Sequence, residues 1–218
     1  MSTKSFVASL VKKSSKMAPW LAARILQRDS FLRQMGWFRS FHSGTAVDAE
    51  GGPLPWYTYG SIRFIEERIS PAMTVFEYGS GHSTLWWSQR SASVDGCEHD
   101  PGWYALMRDK FPDNVDCSLV ELDDRGSYAE AIHRKGRRFD VVVIDGRNRV
   151  QCAKRALEAL SEMGVVVWDN SDRPEYNEGY EALKSAGFRR IDFWGMGPIN
   201  TYGWCTSVFY RPGNCFGI

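Results

Sequence analysis

Five carboxylate positions punctuate the chain at a regular rhythm, each at the end of a short apolar or β-branched run. Glu77 lies in TVFEYGSGHST, Glu98 ends SVDGCE, Asp123 and Asp124 follow CSLVEL, Asp145 ends FDVVVID and Asp169 ends GVVVWD. If those runs are neighbouring parallel strands, their acids crowd one rim of one sheet. Like charges gathered there repel unless hydroxyls, a cation or a cationic ligand compensates them. Taken singly, an Asp or Asn after a strand is often only the cap of the next helix. Five together point to a ligand site.

The turn after the first run carries the most specific pattern, Gly79-Ser80-Gly81-His82-Ser83-Thr84. Its glycines allow a tight turn and a close backbone approach to a ligand. A dinucleotide fingerprint would need a third glycine at Thr84. Glu77 also disfavours a diphosphate, which seeks bare N–H groups at a helix N-terminus. Glu98 follows about twenty residues on, where an acid can accept both hydroxyls of a ribose. Asp145, Asp169 and Asn170 offer three oxygen donors from neighbouring strand ends, a hard set suited to Mg²⁺ or Ca²⁺. His82 either serves as a general base near neutral pH or bonds a cofactor and opens the helix. Arg147 and Arg149 either bind an anionic group of a second substrate or lie solvated at a helix start. The aromatic segments Pro53 to Tyr59 and Trp194 to Trp204 have the chemistry to wall a pocket for a sugar or an aromatic ring. Trp86 and Trp87 read as core.

The elements that must position these residues alternate. VVVID and GVVVW are continuous apolar runs, as in strands covered on both faces of a parallel sheet. Between the runs lie the helical stretches STLWWSQR, PGWYALMRDKF, SYAEAIHRK, VQCAKRALEALSEM and PEYNEGYEALKSAG, with RRIDFW and TSVFYR as closing strands. Asp100 is placed as an N-cap with Pro101 at the first helical position. This alternation predicts a doubly wound α/β fold, whose ligands gather at the carboxyl ends of the strands. The expected organisation is an N-terminal helical extension over 1–42, a Gly- and Pro-bearing loop over 43–60, and the α/β domain over 61–218.

With 218 residues, 43% of them hydrophobic and a net charge of +1, the chain suits one sizeable domain with no overall attraction for nucleic acid. The first forty residues differ: they carry eight basic side chains and the single acid Asp29. Their apolar residues recur at mostly helical spacings. Such a helix covers a neighbouring surface, meets a second copy in a homo-oligomer, or makes a peripheral membrane contact. Five widely spaced cysteines without a CxxC pair favour neither a disulfide framework nor a zinc site. With no secretory signal or span-length apolar run in the sequence, a cytoplasmic location is expected.

FEYGSGHST, CEHD, FDVVVIDG and GVVVWDN, in this order, resemble the motifs of class I S-adenosylmethionine-dependent methyltransferases over roughly residues 60 to 210. The resemblance implies a Rossmann-like, seven-stranded, mostly parallel sheet whose last strand, TSVFYR, inserts antiparallel beside the fifth. It places S-adenosylmethionine with its methionine end at Glu77, Gly79, Ser80, Gly81, His82 and Ser83. The ribose falls on Glu98 and His99, and the adenine near Asp124 or the Ser127-Tyr128 pair, with Asp145 beside the cofactor. The resemblance also makes the loop over 43–60 an acceptor lid and 61–218 the S-adenosylmethionine-binding domain. Ser83 replaces the family's third glycine. Asp145, Asp169 and Asn170 further resemble the metal ligands of cation-dependent, catechol-type O-methyltransferases. In that reading Asp145, Asp169 and His82 are the catalytic residues, and the acceptor is a hydroxylated small molecule or sugar. Three alternatives stay open: Asp145 acts without a metal while Asp169 and Asn170 cap a helix; the enzyme is metal-independent; or the chain binds a nucleoside without catalysis.

Overall fold

In the computed structural model, which describes residue 27 and residues 29–218, seven strands form one sheet in the order β3-β2-β1-β4-β5-β7-β6. The strands are β1 (Thr74–Tyr78), β2 (Ser93–Glu98), β3 (Val115–Leu119), β4 (Phe139–Ile144), β5 (Leu160–Asp169), β6 (Arg189–Gly195) and β7 (Trp204–Tyr210). The helices are α1 (Phe31–Gln34), α2 (Trp37–Ser43), α3 (Tyr59–Glu66), α4 (His82–Ser88), α5 (Pro101–Met107), α6 (Ser127–Glu130), α7 (Arg149–Ala159) and α8 (Asn177–Ser185). β1 to β5 pair in parallel. β7 runs antiparallel between β5 and β6, the place expected for TSVFYR.

The continuous apolar runs divide their side chains between two cores, as the two-residue period of a strand requires. Val141 and Val143 of β4 and Val165 and Val167 of β5 pack with Ile62 and Ile65 of α3 and with Trp86 and Trp87 of α4. Val142, Ile144, Val166 and Trp168 face the other way, onto Ala153 and Ala156 of α7 and Tyr180 and Leu183 of α8. The same period puts Glu77 on the α4 side with Val75, and Asp169 on that side with Val167. Two acids therefore start out beneath helix α4 and beside the loop that precedes α3.

Several expected elements shift. The helix predicted through VQCAKRALEALSEM ends at Ala159, and Leu160 to Met163 extend β5 instead. Leu160 pairs with Phe139 and is buried there, so strand pairing overrides a helical spacing that Leu157, Leu160 and Met163 seemed to continue. β3 lies slightly earlier than CSLVEL because it pairs from Val115 opposite Val94. The SYAEAIHRK helix is one α-turn followed by a 3₁₀ turn over Ala131–Lys135.

Of the expected N-terminal extension, residues 1–26 and 28 lie outside the described residues. The remainder breaks into α1 and α2 at Gly36, whose φ of 73° is left-handed. A Cβ there would sit 2.2 Å from the Asp48 carbonyl carbon, so only glycine fits. Both α2 and the loop over 43–60 are tied to the sheet: Trp37 Nε1 donates to Asn200 O at 2.8 Å, and Thr58 N donates to Thr206 Oγ1 at 3.0 Å. Among the described residues no helix is long and apolar enough to cross a membrane.

Gly179 in α8 tests the packing of this layer. A Cβ there would lie 2.6 Å from Trp168 Cη2 and 3.3 Å from Val150 Cα. Gly179→Ala gains about 1 kcal/mol of helix propensity, but overpacking a filled core costs about 1–3 kcal/mol. Net destabilisation is expected, read as a lower urea midpoint at unchanged slope.

Candidate active site

Strand register brings the expected site residues level. Tyr78 pairs with Cys97 and Ile144, and Ile144 pairs with Trp168. The next residues, Gly79, Glu98, Asp145 and Asp169, therefore emerge side by side at one rim. Neighbouring strands lie about 4.8 Å apart, so Glu98 and Asp145 are separated by roughly 10 Å.

Between them the glycine turn is held tightly. Gly79 has φ 93°, and a Cβ on it would come within 3.2 Å of the Gly146 backbone. Glycine is needed here because two strand-end loops back onto each other. Glu98 fastens the turn from the β2 side: Ser80 N donates to its Oε2 at 3.0 Å, while His99 N and Asp100 N donate to its Oε1 at 2.7 and 2.9 Å. His99 Nδ1 lies 2.8 Å from the same oxygen but off the line a hydrogen bond needs. Trp103, which the sequence reading passed over, closes the turn from above and donates from Nε1 to Ser80 O at 2.6 Å.

Glu77 is not on the surface of the cleft. It is 1% exposed, beneath the turn, and its Oε2 accepts a hydrogen bond from Thr84 Oγ1. Thr84 in turn accepts from Gly81 N at 2.9 Å, so the acid holds the shape of the loop through α4's first turn. Oε1 has no hydrogen-bond partner. Burial pushes the carboxyl up to about 8, against the neighbouring hydroxyls of Ser83 and Thr84, with the charges of Asp145 and Glu98 adding to the rise.

Arg149 is the structural residue that sequence reasoning missed. Both roles considered for it, anion binding and solvation, give way to a buried clamp. Nε donates to Gly146 O at 2.9 Å, and Nη2 donates to Asp145 O at 2.8 Å and to Asp145 Oδ1 at 3.1 Å. Nη1 donates to Asp169 O. One guanidinium thus joins the ends of β4 and β5, a geometry its rigid fork makes possible. The signal available was Asp145 and Arg149 four residues apart at a helix start. Asp169 Oδ1 accepts from Trp204 Nε1 at 2.9 Å and from Thr206 Oγ1 at 2.6 Å. Burial raises both aspartate pKa values. Arg149 opposes the rise at Asp145, and the charge of Asp145 adds to it at Asp169.

The rim opens into three joined spaces that share Trp56 and Asp145. The largest, about 550 Å³, runs from Glu98 and His99 past Gly79 and Ser80 to Asp145 and Asn170. A second, about 220 Å³, is mainly apolar, between Leu54, Trp56, His82, Trp103 and Ile199. A third, about 250 Å³, holds Asp145, Asp169, Asn170 and Arg173 with Tyr202 and Trp204. His82 opens α4, and its Nδ1 lies 2.9 Å from Ala46 O. A carbonyl only accepts, so Nδ1 carries the proton and Nε2 is the free nitrogen of the neutral ring. Burial lowers the His82 pKa and so favours the neutral ring, against the hydrogen bond to Ala46 O.

Other expected site residues fall elsewhere. Tyr128 is 0% exposed in the core, with its hydroxyl against Gly146, and presents no face to a ligand. Asp124 lines none of these three spaces, and its neighbour Asp123 accepts from Ser127 N at 2.8 Å as a helix cap. Of the aromatic segments, Trp56 and Tyr202 stand at the cleft, whereas Tyr57 and Tyr59 are core and Trp194 points away on edge strand β6.

The donor set does not fit a metal centre. Asp145 Oδ1 is held by Arg149, Asp169 Oδ1 already accepts two hydrogen bonds, and Arg173 lines the same space. Among the described residues no three His, Cys, Asp or Glu side chains converge on a common point. A nucleoside with a cationic tail fits better. The 550 Å³ space falls in the roughly 300–1,000 Å³ range of cofactor sites, and acids line it at both ends.

Solved structures share this architecture. The chain is similar to a precorrin-6y C5,15-methyltransferase from Geobacter metallireducens, with TM-score 0.53 and 15% identity over 69% of this chain and 86% of that one. It is similar to an rRNA methylase from Streptococcus thermophilus, with TM-score 0.51 and 13% identity over 70% and 95% of the two chains. It also matches spermidine synthase from Thermotoga maritima, with TM-score 0.50 and 15% identity over 70% of this chain and 56% of that one. No protein-family model matches, and no curated protein matches in sequence. The chain therefore has the Rossmann-like fold of these methyltransferases, a fold that a spermidine synthase shares.

Two predictions follow from the clamp and the buried acid. Arg149→Lys cannot span both strand ends, and breaking a buried charged network costs about 3–5 kcal/mol. Arg147→Ala, at an exposed position, should stay within about 0.5 kcal/mol in the same denaturation experiment. For Glu77 the folded protein holds its proton more tightly than the unfolded chain, from the ordinary 4.5 up to about 8. Stability should therefore fall as pH rises through that window. Glu77→Gln keeps an acceptor for Thr84, so its stability profile should be flatter and it should exceed the parent at pH 8. An unchanged slope would mean that Asp145 and Asp169 carry the whole effect.

Proposed function

We propose that the protein is an S-adenosylmethionine-dependent methyltransferase that methylates a hydroxyl of a small molecule without a bound metal. The observation that carries this reading is the single cleft in which Gly79, Ser80, Glu98 and Asp145 stand together at the strand ends. Glu98 would receive the ribose hydroxyls, one of them taking the place of the Ser80 hydroxyl that donates to Oε2 at 3.3 Å. The glycine turn would let the backbone approach the methionine portion closely. A rim lined by Glu98, Asp145 and Asp169, with Glu77 buried just behind, favours a sulfonium and an ammonium over a diphosphate. When bound, the cofactor supplies an activated methyl group on sulfur. The chain's own part is to hold the acceptor in line, exclude water and take a proton.

Calorimetry with S-adenosylhomocysteine and with NAD tests the cofactor. Binding of the first and not the second is expected. Glu98→Ala should weaken it about 10- to 100-fold, the loss of hydrogen bonds to a charged group. NAD binding without S-adenosylhomocysteine binding would overturn the reading. Once an acceptor is in hand, activity should survive EDTA treatment, and loss of activity restored by Mg²⁺ would restore the metal-assisted alternative.

A further inference from the structure

The third space, beside the cofactor cleft, has a chemistry of its own. Asp169 at its base is 3% exposed, yet it lines the space. Trp204 Nε1 and Thr206 Oγ1 fix Oδ1, while Oδ2 has no hydrogen-bond partner among the described residues. Around it Asn170, Asn200 and Arg173 supply N–H donors. Trp56 and Tyr202, 45% and 64% exposed, present aromatic faces to this space. At about 250 Å³ the space suits a single ring rather than a cofactor, whose sites run roughly 300–1,000 Å³.

Exposed aromatic surface, amide and guanidinium donors and free carboxylate oxygens complement a saturated ring that carries hydroxyls. Its C–H face packs on an aromatic ring, its O–H groups donate to carboxylates, and its oxygens accept from the amides. A flat hydrocarbon-like acceptor would fill the space but leave these polar groups unsatisfied. The apolar space of Leu54 and Ile199 is the better seat for such a molecule.

We propose that this compartment receives the methyl acceptor as a sugar ring, with Asp169 Oδ2 taking the proton of the hydroxyl that is methylated. The proposal rests on the methyltransferase reading. In the step, the hydroxyl oxygen forms its bond to the methyl carbon as the carbon–sulfur bond breaks. That electron pair stays on sulfur, which becomes a neutral thioether, and the hydroxyl proton moves to Asp169. Trp204 and Thr206 are positioning residues that leave Oδ2 as the free acceptor.

The test uses the full chain with S-adenosylhomocysteine bound and a panel of methyl glycosides of hexoses, 6-deoxyhexoses and pentoses. Catechol and spermidine serve as contrasts. Binding is read by saturation-transfer NMR and by tryptophan fluorescence. At least one glycoside should bind in the millimolar range, as a single ring with few contacts would. Trp56→Ala and Tyr202→Ala, both at exposed positions that tolerate truncation, should each weaken it about tenfold. Trp194→Ala, on β6 outside the compartment, should leave it unchanged. Asp169→Asn keeps an oxygen for Trp204 and Thr206, so it should retain glycoside binding and lose methyl transfer. Binding of S-adenosylhomocysteine without any glycoside overturns the proposal, as does glycoside binding that neither aromatic variant weakens. Preferential binding of catechol or spermidine, sensitive to Trp56→Ala, likewise overturns it in favour of that chemistry. Failure to bind S-adenosylhomocysteine at all strikes the methyltransferase reading instead.

Discussion

The structure depends on holding several carboxylates at one sheet rim without letting them push the strand ends apart. Two adjacent acids 5 Å apart repel by about 3 kcal/mol at an effective dielectric near 20. Arg149 answers this from inside the fold. Its guanidinium reaches the carbonyls of Asp145, Gly146 and Asp169 and one oxygen of the Asp145 carboxylate. It fixes the ends of β4 and β5 and compensates part of the charge there. The other acids are managed differently. Glu98 accepts from three backbone N–H groups and the Ser80 hydroxyl, and burial raises the pKa of Glu77. The rim can therefore keep an acidic character toward a ligand while its interior is balanced.

That arrangement divides the acids by depth. The alternation of β1 turns Glu77 down toward α4, where Thr84 meets it, so an acid that reads as a ligand contact works as a brace for the glycine turn. Tyr57, fully buried nearby, is raised well above its ordinary pKa, first by burial and then by the charges of Glu77, Asp145 and Asp169. Its phenol stays neutral and packs in the core with Trp86 and Trp87. Nearness to a site does not make a side chain part of it. What decides is whether its polar atom has a partner and a path to the cleft.

The sequence made the order of strands, the glycine turn and the acidic rim legible because these are local patterns: apolar runs of known length, a turn signal and an acid after each run. β1 and β2 begin and end where TVFEY and SVDGCE do, and Asp100 caps α5 by accepting from Trp103 N at 2.8 Å. What was not legible depends on the third dimension. Leu160 keeps helical spacing but is claimed by Phe139 across the sheet. Tyr128 sits at the right place in the chain for an adenine contact, yet its side chain turns under Gly146. Arg149 and Arg147 are two residues apart and alike in composition. One starts α7 facing the strand ends while the other faces solvent, and in sequence only the four-residue spacing from Asp145 to Arg149 separates them.

The same depth ordering bears on chemistry. Asp145 and Trp56 border all three spaces, so they mark the point where a methyl donor and an acceptor would meet. Displacement at carbon needs donor and acceptor in line, and a shared wall at the junction is how a rigid sheet can impose that alignment. Arg149 fixes one side of the junction from β4. The other side hangs on the loop over 43–60, held by His82 at Ala46 O and by Thr58 at Thr206. Thr206 also bonds Asp169. One hydroxyl therefore connects the loop that carries Trp56 to the carboxylate beneath the polar space. The position of the aromatic wall and the orientation of the candidate base are set together, and neither can drift without disturbing the other.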